Sequence, residues 1–325
     1  MDLPPVLSEQ LLVHPWAELG PRTTLGVGGP APWVIEPRSR EELLLAVSEL
    51  SGAGIPYRML GHGSNLLVRD EGVPDVVIHT RLMTGIWHHG EREHCMRVAA
   101  GASLARLVSV CQLQGLSGVE SLVGIPGTLG GAVAGNAGSR HGCIGDVLVA
   151  VTVVGDDGAF EELPCTPDQF AYRSSPFAGR VVLDAVLQLA PADPKTVQAR
   201  VAEILRAKKD SQPLTARSAG CMFRNSEDAP SGRLIEEAGC KGLAVGGARV
   251  SDRHANFVLN EGGATAADVL AVVEAVTSSV RRATGRQLEL EVEVWGAPAE
   301  AGAAPGRAPV EGPNVVPGRP SGRAL

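Results

Sequence analysis

The segment GIPGTLGGAVAGNAGS, Gly124–Ser139, is rich in glycine and carries almost no charge. Eight glycines fall between Gly115 and Gly138, with almost no charge among them. Pro126 fixes one backbone angle while the glycines around it free others, a combination that suits a rigid loop wrapped around a ligand. Glycine also interrupts the segment too often for a stable helix or strand. We therefore predict a loop that binds a ligand through its main chain.

A second glycine-rich loop, GHGSN at Gly61–Asn65, lies about 60 residues earlier and leads into the apolar run Leu66–Val68. Its glycines let backbone N–H groups approach a phosphate, and Ser64 and Asn65 add side-chain donors. It lacks the third glycine of a dinucleotide-binding fingerprint, and neither loop has the Gly-Lys-Ser/Thr ending of a triphosphate-binding loop. The two loops together indicate a cofactor with a pyrophosphate group that is held by backbone amides.

Strand-like and helix-like periods alternate around both loops, which predicts an α/β or α+β fold. PWVIEP and IPYRML predict strands on either side of a helix capped by Ser39, and VLVAVTVVGDDGAFEEL predicts a hairpin with a DDG turn. The last run, LELEVEVW, predicts a half-buried strand whose glutamates face solvent. The predicted division is an N-terminal segment 1–21, two cofactor-binding subdomains 22–80 and 81–192, a substrate-binding unit 193–296 and a disordered tail 297–325.

Charge and composition exclude some functions. The net charge of −7 argues against a nucleic-acid binder. Between Arg200 and Ala255, however, ten Lys or Arg stand against seven Asp or Glu, so this segment is locally +3, as a site for an anionic ligand would be. No apolar run has the length of a membrane helix, and the first residues have no secretory pattern. We expect a cytoplasmic monomer with no nucleic-acid and no membrane partner.

The cysteines and histidines do not predict a metal site. The six cysteines include no Cys-x-x-Cys pair, so free thiols are expected. The histidines of WHHGEREH, Trp87–His94, could suggest a metal, but this charged cluster lies between two apolar runs and predicts a hairpin loop. We expect no bound metal.

Five motifs follow one another in the order GHGSNLLV, GLSGVESLVGIPGTLGGAVAGNAGS, AYRSSPF, SAGCMFRNS and LELEVEVWG. In order and spacing they resemble the MurB family of UDP-N-acetylenolpyruvoylglucosamine reductases, from about Arg22 to Gly296. Ala190–Asp210 contains no tyrosine, so the chain resembles the shorter subtype, which lacks a tyrosine-bearing lid loop. The resemblance implies an FAD-binding fold of the vanillyl-alcohol-oxidase (PCMH) type in two subdomains, with a C-terminal α/β subdomain for the substrate.

The resemblance also implies the reaction. In the family, FAD is bound non-covalently and is reduced by NADPH. Hydride then passes to UDP-N-acetylglucosamine enolpyruvate, giving UDP-N-acetylmuramate for peptidoglycan. The implied FAD contacts lie in the two glycine loops: Gly61, His62, Gly63, Ser64, Asn65, Gly124, Ile125, Pro126, Gly127, Thr128, Gly130, Gly131, Asn136 and Ala137.

Three residues match the family's catalytic positions. Hydride delivery creates an enolate-like charge that needs a fixed cation, and Arg173 in AYRSSPF matches the family's arginine in that role. Cys221 stands where most members have serine. A thiol with pKa near ~8.5 is mostly protonated at pH 7, so it can donate the required proton, although its thiolate fraction predicts sensitivity to peroxide. Glu291 matches the family's catalytic glutamate, which helps to stabilise or protonate the intermediate. Alternation alone cannot select it among the three glutamates of LELEVEVW.

The locally basic segment supplies the substrate contacts that the resemblance implies. Lys209 matches a lysine near the UDP diphosphate, with Lys208 equally plausible, while Asn225 and Tyr172 match further substrate contacts. Two other functions remain open. A related FAD-dependent oxidase or dehydrogenase of an alcohol or hydroxy acid would need neither Arg173 nor SAGCMFRNS. A non-enzymatic module for FAD or a UDP-sugar would bind its ligand without turnover.

Overall fold

The computed structural model of the chain describes residues 2–90, 93–155, 158–226 and 229–297. The predicted disordered tail from residue 298 onward and the two aspartates of the DDG turn lie outside these ranges. The helices are α1 (Pro5–Gln10), α2 (Arg40–Gly52), α3 (Leu104–Gln114), α4 (Leu129–Ala134), α5 (Pro194–Ser211), α6 (Ser231–Glu237) and α7 (Ala266–Thr284). The strands are β1 (Leu12–Glu18), β2 (Pro30–Glu36), β3 (Tyr57–Leu60), β4 (Leu66–Val68), β5 (Val76–His79), β6 (Ile86–His88), β7 (Cys95–Ala99), β8 (Leu116–Ser117), β9 (Gly138–Ser139), β10 (Gly142–Cys143), β11 (Leu148–Val154), β12 (Phe160–Pro164), β13 (Val182–Gln188), β14 (Ala190–Pro191), β15 (Arg217–Cys221), β16 (Ala244–Val245), β17 (Ala248–Val250), β18 (Phe257–Asn260) and β19 (Glu293–Trp295).

The first sheet has the strand order β1-β2-β5-β3, with β2, β5 and β3 parallel and β1 antiparallel. The predicted helix between PWVIEP and IPYRML is confirmed as α2, and the Oγ of Ser39 accepts a hydrogen bond from the Glu42 N–H at 3.2 Å. Parallel strands end at a common edge, which is where ligands bind in such sheets. The ends of β2, β5 and β3 therefore bring Glu36, His79 and the Gly61–Asn65 loop to one edge.

The second sheet is antiparallel, in the order β12-β11-β13-β7-β6. The two predicted hairpins are confirmed as β11–β12 and β6–β7. Buried side chains of α3, α4 and α5 fill the core on this sheet. The sequence places α5 in the predicted substrate-binding unit. In the structure, Val197, Val201 and Ile204 of α5 pack into the core on the second sheet. The division into subdomains itself stays a prediction.

One expectation about the glycine-rich segment is wrong, because its middle forms the helix α4. Glycine in a helix costs about 1 kcal/mol relative to alanine, but tertiary packing overrides that cost. Leu129 and Val133 are fully buried, and a Cβ on Gly130 would lie 3.1 Å from the Cβ of Ala100. The absence of a side chain at Gly130 thus lets α4 pack closely against the backbone at Ala100.

The third sheet has the order β15-β18-β17-β16 and packs with α6 and α7. Its core also includes Leu25 and Val27, which precede β2, and Leu67 of β4. The last strand, β19, returns to pair in parallel with β4. The C-terminal part of the chain is therefore joined to β4, directly after the Gly61–Asn65 loop. None of the helices in the described ranges combines the length and apolarity needed to cross a membrane.

The C-terminal strand differs from its prediction. Only Glu293–Trp295 pair as a strand, and Leu290 makes an isolated bridge with Phe223. Leu290 is 40% exposed whereas the Glu291 side chain is 8% exposed. The backbone N–H of Glu291 donates to the Met222 carbonyl at 2.9 Å. This crossing contact turns Glu291 inward, so the prediction that all three glutamates face solvent is wrong for Glu291.

Candidate active site

The loop Gly61–Asn65 joins β3 to β4 and lies against the second glycine loop. Gly63 has φ +57°, and a Cβ on Gly61 would collide with the Oγ1 of Thr128. A Cβ on Gly127 would lie 3.2 Å from the Oγ of Ser64. The glycines therefore allow the two loops to meet as one surface.

The backbone donors of this surface are available to a ligand. No hydrogen bond within the described ranges uses the backbone N–H of His62, Gly63 or Ser64. Consecutive free amides around a glycine with positive φ form a concave site for an anion. The second loop adds Gly124 at φ +73° and Gly127 at φ +150°, conformations that favour glycine. These features fit the diphosphate of a dinucleotide cofactor, and the individual contacts stay a prediction.

Asn136 connects the second loop to the segment that carries Arg173. It is buried and has φ +44°, and its Nδ2 donates to the Ala171 carbonyl at 2.8 Å. Its Oδ1 accepts from the Gly145 N–H at 3.2 Å. The side chain that sequence analysis assigned to the cofactor therefore holds a turn of the protein.

That turn spans Ala171–Ser174 and presents Arg173 at φ +53°. The Nε of Arg173 donates to Oε1 of Glu291 at 2.6 Å, and the hydroxyl of Tyr172 donates to Oε2 at 3.2 Å. The guanidinium carbon also lies 5.2 Å from the centre of the Tyr172 ring. Both oxygens of Glu291 are thus held by neighbours on the turn. The structure brings together two of the three predicted catalytic residues, which are 118 positions apart in sequence.

Cys221, the third, ends β15 beside this pair. Burial raises the pKa of its thiol to about 11; the charge of Glu291 adds to the rise and that of Arg173 opposes it. Gly220 has φ +77°, and the pairing of β15 with β18 is irregular between Ser218 and Cys221. The thiol is therefore protonated at pH 7 and lies in the field of both charged partners.

Asn65 links the Gly61–Asn65 loop to Glu291. Its Nδ2 donates to the Glu291 carbonyl at 3.1 Å, and its own carbonyl accepts from the Glu293 N–H at 3.0 Å. A change in the position of the loop would therefore move the segment that carries Glu291 and leads into β19.

The predicted substrate residues lie in different environments. Lys209 is exposed, and Asn225 uses its Oδ1 to accept from the Ser231 N–H at the start of α6, at 2.9 Å. Tyr172 is 56% exposed. Lys208 is instead buried and donates to two backbone carbonyls, so it is not available to a substrate phosphate as the structure stands. Of the two lysines that sequence analysis could not separate, only Lys209 is open to a ligand.

A charged cluster that the sequence did not predict lies at the edge where β2 and β5 end. Glu36 is fully buried, and Arg81 donates to both of its oxygens, at 2.7 and 2.6 Å. His14 and His79 also contact the carboxylate, at 3.2 and 3.3 Å. Glu36, His79 and Arg81 line a cleft of about 570 Å³ together with His62 of the first loop. The one sequence signal of the cluster was a glutamate that directly ends a buried strand.

We expect Glu36→Gln to destabilise the protein by about 3 kcal/mol at pH 7. Burial alone would raise the pKa of Glu36, but the hydrogen bonds and charge of Arg81, with help from His14 and His79, hold it at about 2. A lowered carboxyl pKa contributes stability above the ordinary value of 4.5, and this stability is lost as pH falls toward about 2. Urea unfolding from pH 7 to about 2 should therefore show the difference between variant and parent shrinking.

The matched control is Glu161→Gln, which removes an exposed ion pair with Arg180 at 3.3 Å. Such a pair contributes less than about 1 kcal/mol. An equal loss of unfolding free energy in the two variants would contradict the role of Glu36. So would a difference in unfolding free energy between Glu36→Gln and the parent that does not change with pH.

Two glycine loops that meet as one surface with unused backbone amides, on a mixed α/β framework, are typical of a protein that binds a dinucleotide cofactor. Residues 31–163 match the family model "FAD binding domain", and residues 212–295 match "UDP-N-acetylenolpyruvoylglucosamine reductase, C-terminal domain". Within the described ranges, His, Cys, Asp and Glu side chains form no group of three that could hold a metal.

The chain is 42% identical over 280 residues to UDP-N-acetylenolpyruvoylglucosamine reductase of Moorella thermoacetica, covering 86% of this chain and 91% of that protein. It is 41% identical over 286 residues to the reductase of Synechococcus sp., covering 86% and 89%. The crystal structure of the Thermus caldophilus reductase (MurB) matches with TM-score 0.75 and 42% identity over 88% of this chain and 99% of that one. The chain belongs to the UDP-N-acetylenolpyruvoylglucosamine reductase family, which confirms the resemblance and the predicted FAD-binding fold.

Proposed function

We propose that this protein uses NADPH and FAD to reduce the enolpyruvyl double bond of UDP-N-acetylenolpyruvoylglucosamine, giving UDP-N-acetylmuramate for peptidoglycan synthesis. The observation that carries the proposal is the 2.6 Å pair of Arg173 and Glu291 with a protonated Cys221 thiol beside it. Asn65 and Asn136 join this group to the two glycine loops. We further propose that the enzyme is cytoplasmic, because NADPH and nucleotide sugars are cytoplasmic metabolites; the monomeric state stays a prediction.

Arg173 would bind the substrate carboxylate. The two glycine loops would hold FAD, which would supply the hydride, received from NADPH, for the terminal vinyl carbon. Negative charge then builds on the carboxylate, where a fixed cation stabilises it. The Nε of Arg173 is occupied by Glu291, whereas its Nη1 has one long contact, to the Gly138 carbonyl at 3.5 Å, and no hydrogen bond in the described ranges uses Nη2. This outer edge of the guanidinium can hold a carboxylate with two hydrogen bonds.

Cys221 would donate the proton from its Sγ to the neighbouring carbon. An enolate carbon is far more basic than a thiolate, so the transfer is favourable even from a thiol of raised pKa. Glu291 orients Arg173, and its charge helps to keep Cys221 protonated until the substrate arrives. Lys209, Asn225 and Tyr172 would contact the UDP-sugar.

The arrangement favours this reaction over the oxidation of an alcohol or hydroxy acid. Oxidation of an alcohol requires a base that removes a proton, whereas a thiol of pKa about 11 is an acid at pH 7. A non-enzymatic FAD or UDP-sugar module would need neither an oriented guanidinium nor a buried thiol at its centre.

The test is to purify the full chain, record its flavin absorbance and measure NADPH oxidation with and without the enolpyruvyl sugar nucleotide. We expect a flavin spectrum, NADPH oxidation that depends on the sugar nucleotide, and a product heavier by two hydrogens in mass spectrometry. An equal rate of NADPH oxidation with and without the sugar nucleotide would contradict the proposed function.

A further inference from the structure

Lys208 and Lys209 are adjacent in α5 but lie in opposite environments. Lys209 is exposed, whereas Lys208 is 9% exposed and points its ammonium at the segment before Gly124. The Nζ of Lys208 donates to the Ser121 carbonyl at 3.1 Å and to the Val123 carbonyl at 2.6 Å. Successive helix residues point about 100° apart, so only one of the two can reach this segment.

Lys208 is a buried cation without a carboxylate partner among the described ion pairs. Burying an ammonium is costly, and two carbonyl acceptors compensate for only part of that cost. Burial lowers the pKa of Lys208 to about 8. A hydrophobic side chain would fill this position at lower cost, so the retained charge indicates a role outside the stability of the core.

The position of the ammonium indicates that role. Ser121 and Val123 directly precede Gly124, where the second glycine loop starts at φ +73°. The Cδ of Lys208 would lie 3.4 Å from a Cβ on Gly124. The Lys208 side chain thus packs against the start of the second glycine loop, and its ammonium binds the two carbonyls just before that loop.

We propose that Lys208 is a positioning residue for the dinucleotide cofactor, which fixes the Ser121 and Val123 carbonyls and places a positive charge beneath the Gly124 loop. This role replaces its assignment to the substrate diphosphate. It rests on the proposed function only in taking FAD as the cofactor.

The proposal predicts a pH dependence of cofactor binding. A bound diphosphate would favour the protonated amine, so FAD affinity should fall as pH rises through about 8. The titratable and charged groups on the elements packed against this part of α5 are few. Cys111 on α3 has its pKa raised to about 12 by burial, Glu120 accepts hydrogen bonds from Ser117 and Gly118, and Arg253 donates to the Lys209 carbonyl. The Cys111 thiol therefore keeps its proton between pH 7 and 9.5.

The experiment measures the dissociation constant of FAD for the full-length apoprotein, from flavin fluorescence, at several pH values between 7 and 9.5. We expect Lys208→Met to weaken FAD binding by on the order of tenfold at pH 7 and to abolish the pH dependence. Lys208→Arg keeps the charge and should retain affinity at high pH. Lys195→Met, which changes an exposed lysine in the first turn of the same helix, is the matched control and should leave FAD affinity unchanged.

FAD binding by Lys208→Met equal to that of the parent, with the same pH dependence, would overturn the proposal. If Lys208→Met does not fold, the test uses the parent protein alone. A parent FAD affinity that is constant from pH 7 to 9.5 would equally overturn the proposal. The readout is independent of turnover. A protein that binds FAD as predicted but does not reduce the sugar nucleotide would therefore refute the proposed function and leave this inference standing.

Discussion

Replacing Arg173 with asparagine is expected to slow oxidation of the reduced enzyme by its substrate by roughly 10³-fold. The change removes the guanidinium that would hold the substrate carboxylate and that fixes Glu291 at 2.6 Å. Asparagine is chosen because residue 173 has φ +53°, a conformation that asparagine tolerates better than alanine, so the backbone of the turn is preserved. Stopped-flow absorbance should show NADPH reducing the flavin at close to the parent rate.

Arg173→Lys is the matched variant, since it keeps the charge but loses the planar fork and Nε. We expect it to recover part of the lost rate without restoring that of the parent, because an ammonium cannot hold Glu291 and a carboxylate in one plane. Equal loss in both half-reactions would indicate a role for Arg173 in folding or cofactor binding. Parent-like oxidation of the reduced Arg173→Asn enzyme would contradict the carboxylate-binding role.

Local pattern predicted most of the framework. Hydrophobic period and capping identified α2, the two hairpins and the long helices, because each depends on residues within about a dozen positions. Both glycine loops were also found locally, since glycine signals its backbone role directly. The helix α4 was missed because its stability comes from the burial of Leu129 and Val133 in a core built by distant strands.

The catalytic geometry needed contacts that local pattern cannot show. Alternation placed Glu291 in solvent, and the Met222 carbonyl, 69 positions away, turns it inward. Only the family resemblance selected Glu291, Arg173 and Cys221 together. Glu36 had no such motif, because its partners Arg81 and His79 come from the end of another strand of the parallel sheet. The roles of Lys208 and Lys209 can be distinguished only once the structure shows which of the two side chains of α5 faces the Ser121 and Val123 carbonyls.

Replacing Cys221 with alanine is expected to slow oxidation of the reduced enzyme by substrate by roughly 10²–10⁴-fold, the usual contribution of a positioned acid. Cys221→Ser should retain much of the rate, because a hydroxyl can donate from the same place. Neither change should affect reduction of the flavin by NADPH in a stopped-flow experiment. Normal turnover by Cys221→Ala would show that another group or water supplies the proton.

The same thiol allows a test that does not depend on catalysis. An ordinary thiol pKa predicted peroxide sensitivity, but a pKa of about 11 leaves little of the reactive thiolate at pH 7. We now expect the parent to resist peroxide as well as Cys221→Ser does, and alkylation of Cys221, followed by mass spectrometry, to accelerate as pH rises toward about 11. Glu291→Gln removes a charge that raises this pKa and should shift the alkylation profile to lower pH. Rapid alkylation of Cys221 at pH 7 in the parent would mean that the residue is a thiolate, and a thiolate cannot be the proton donor.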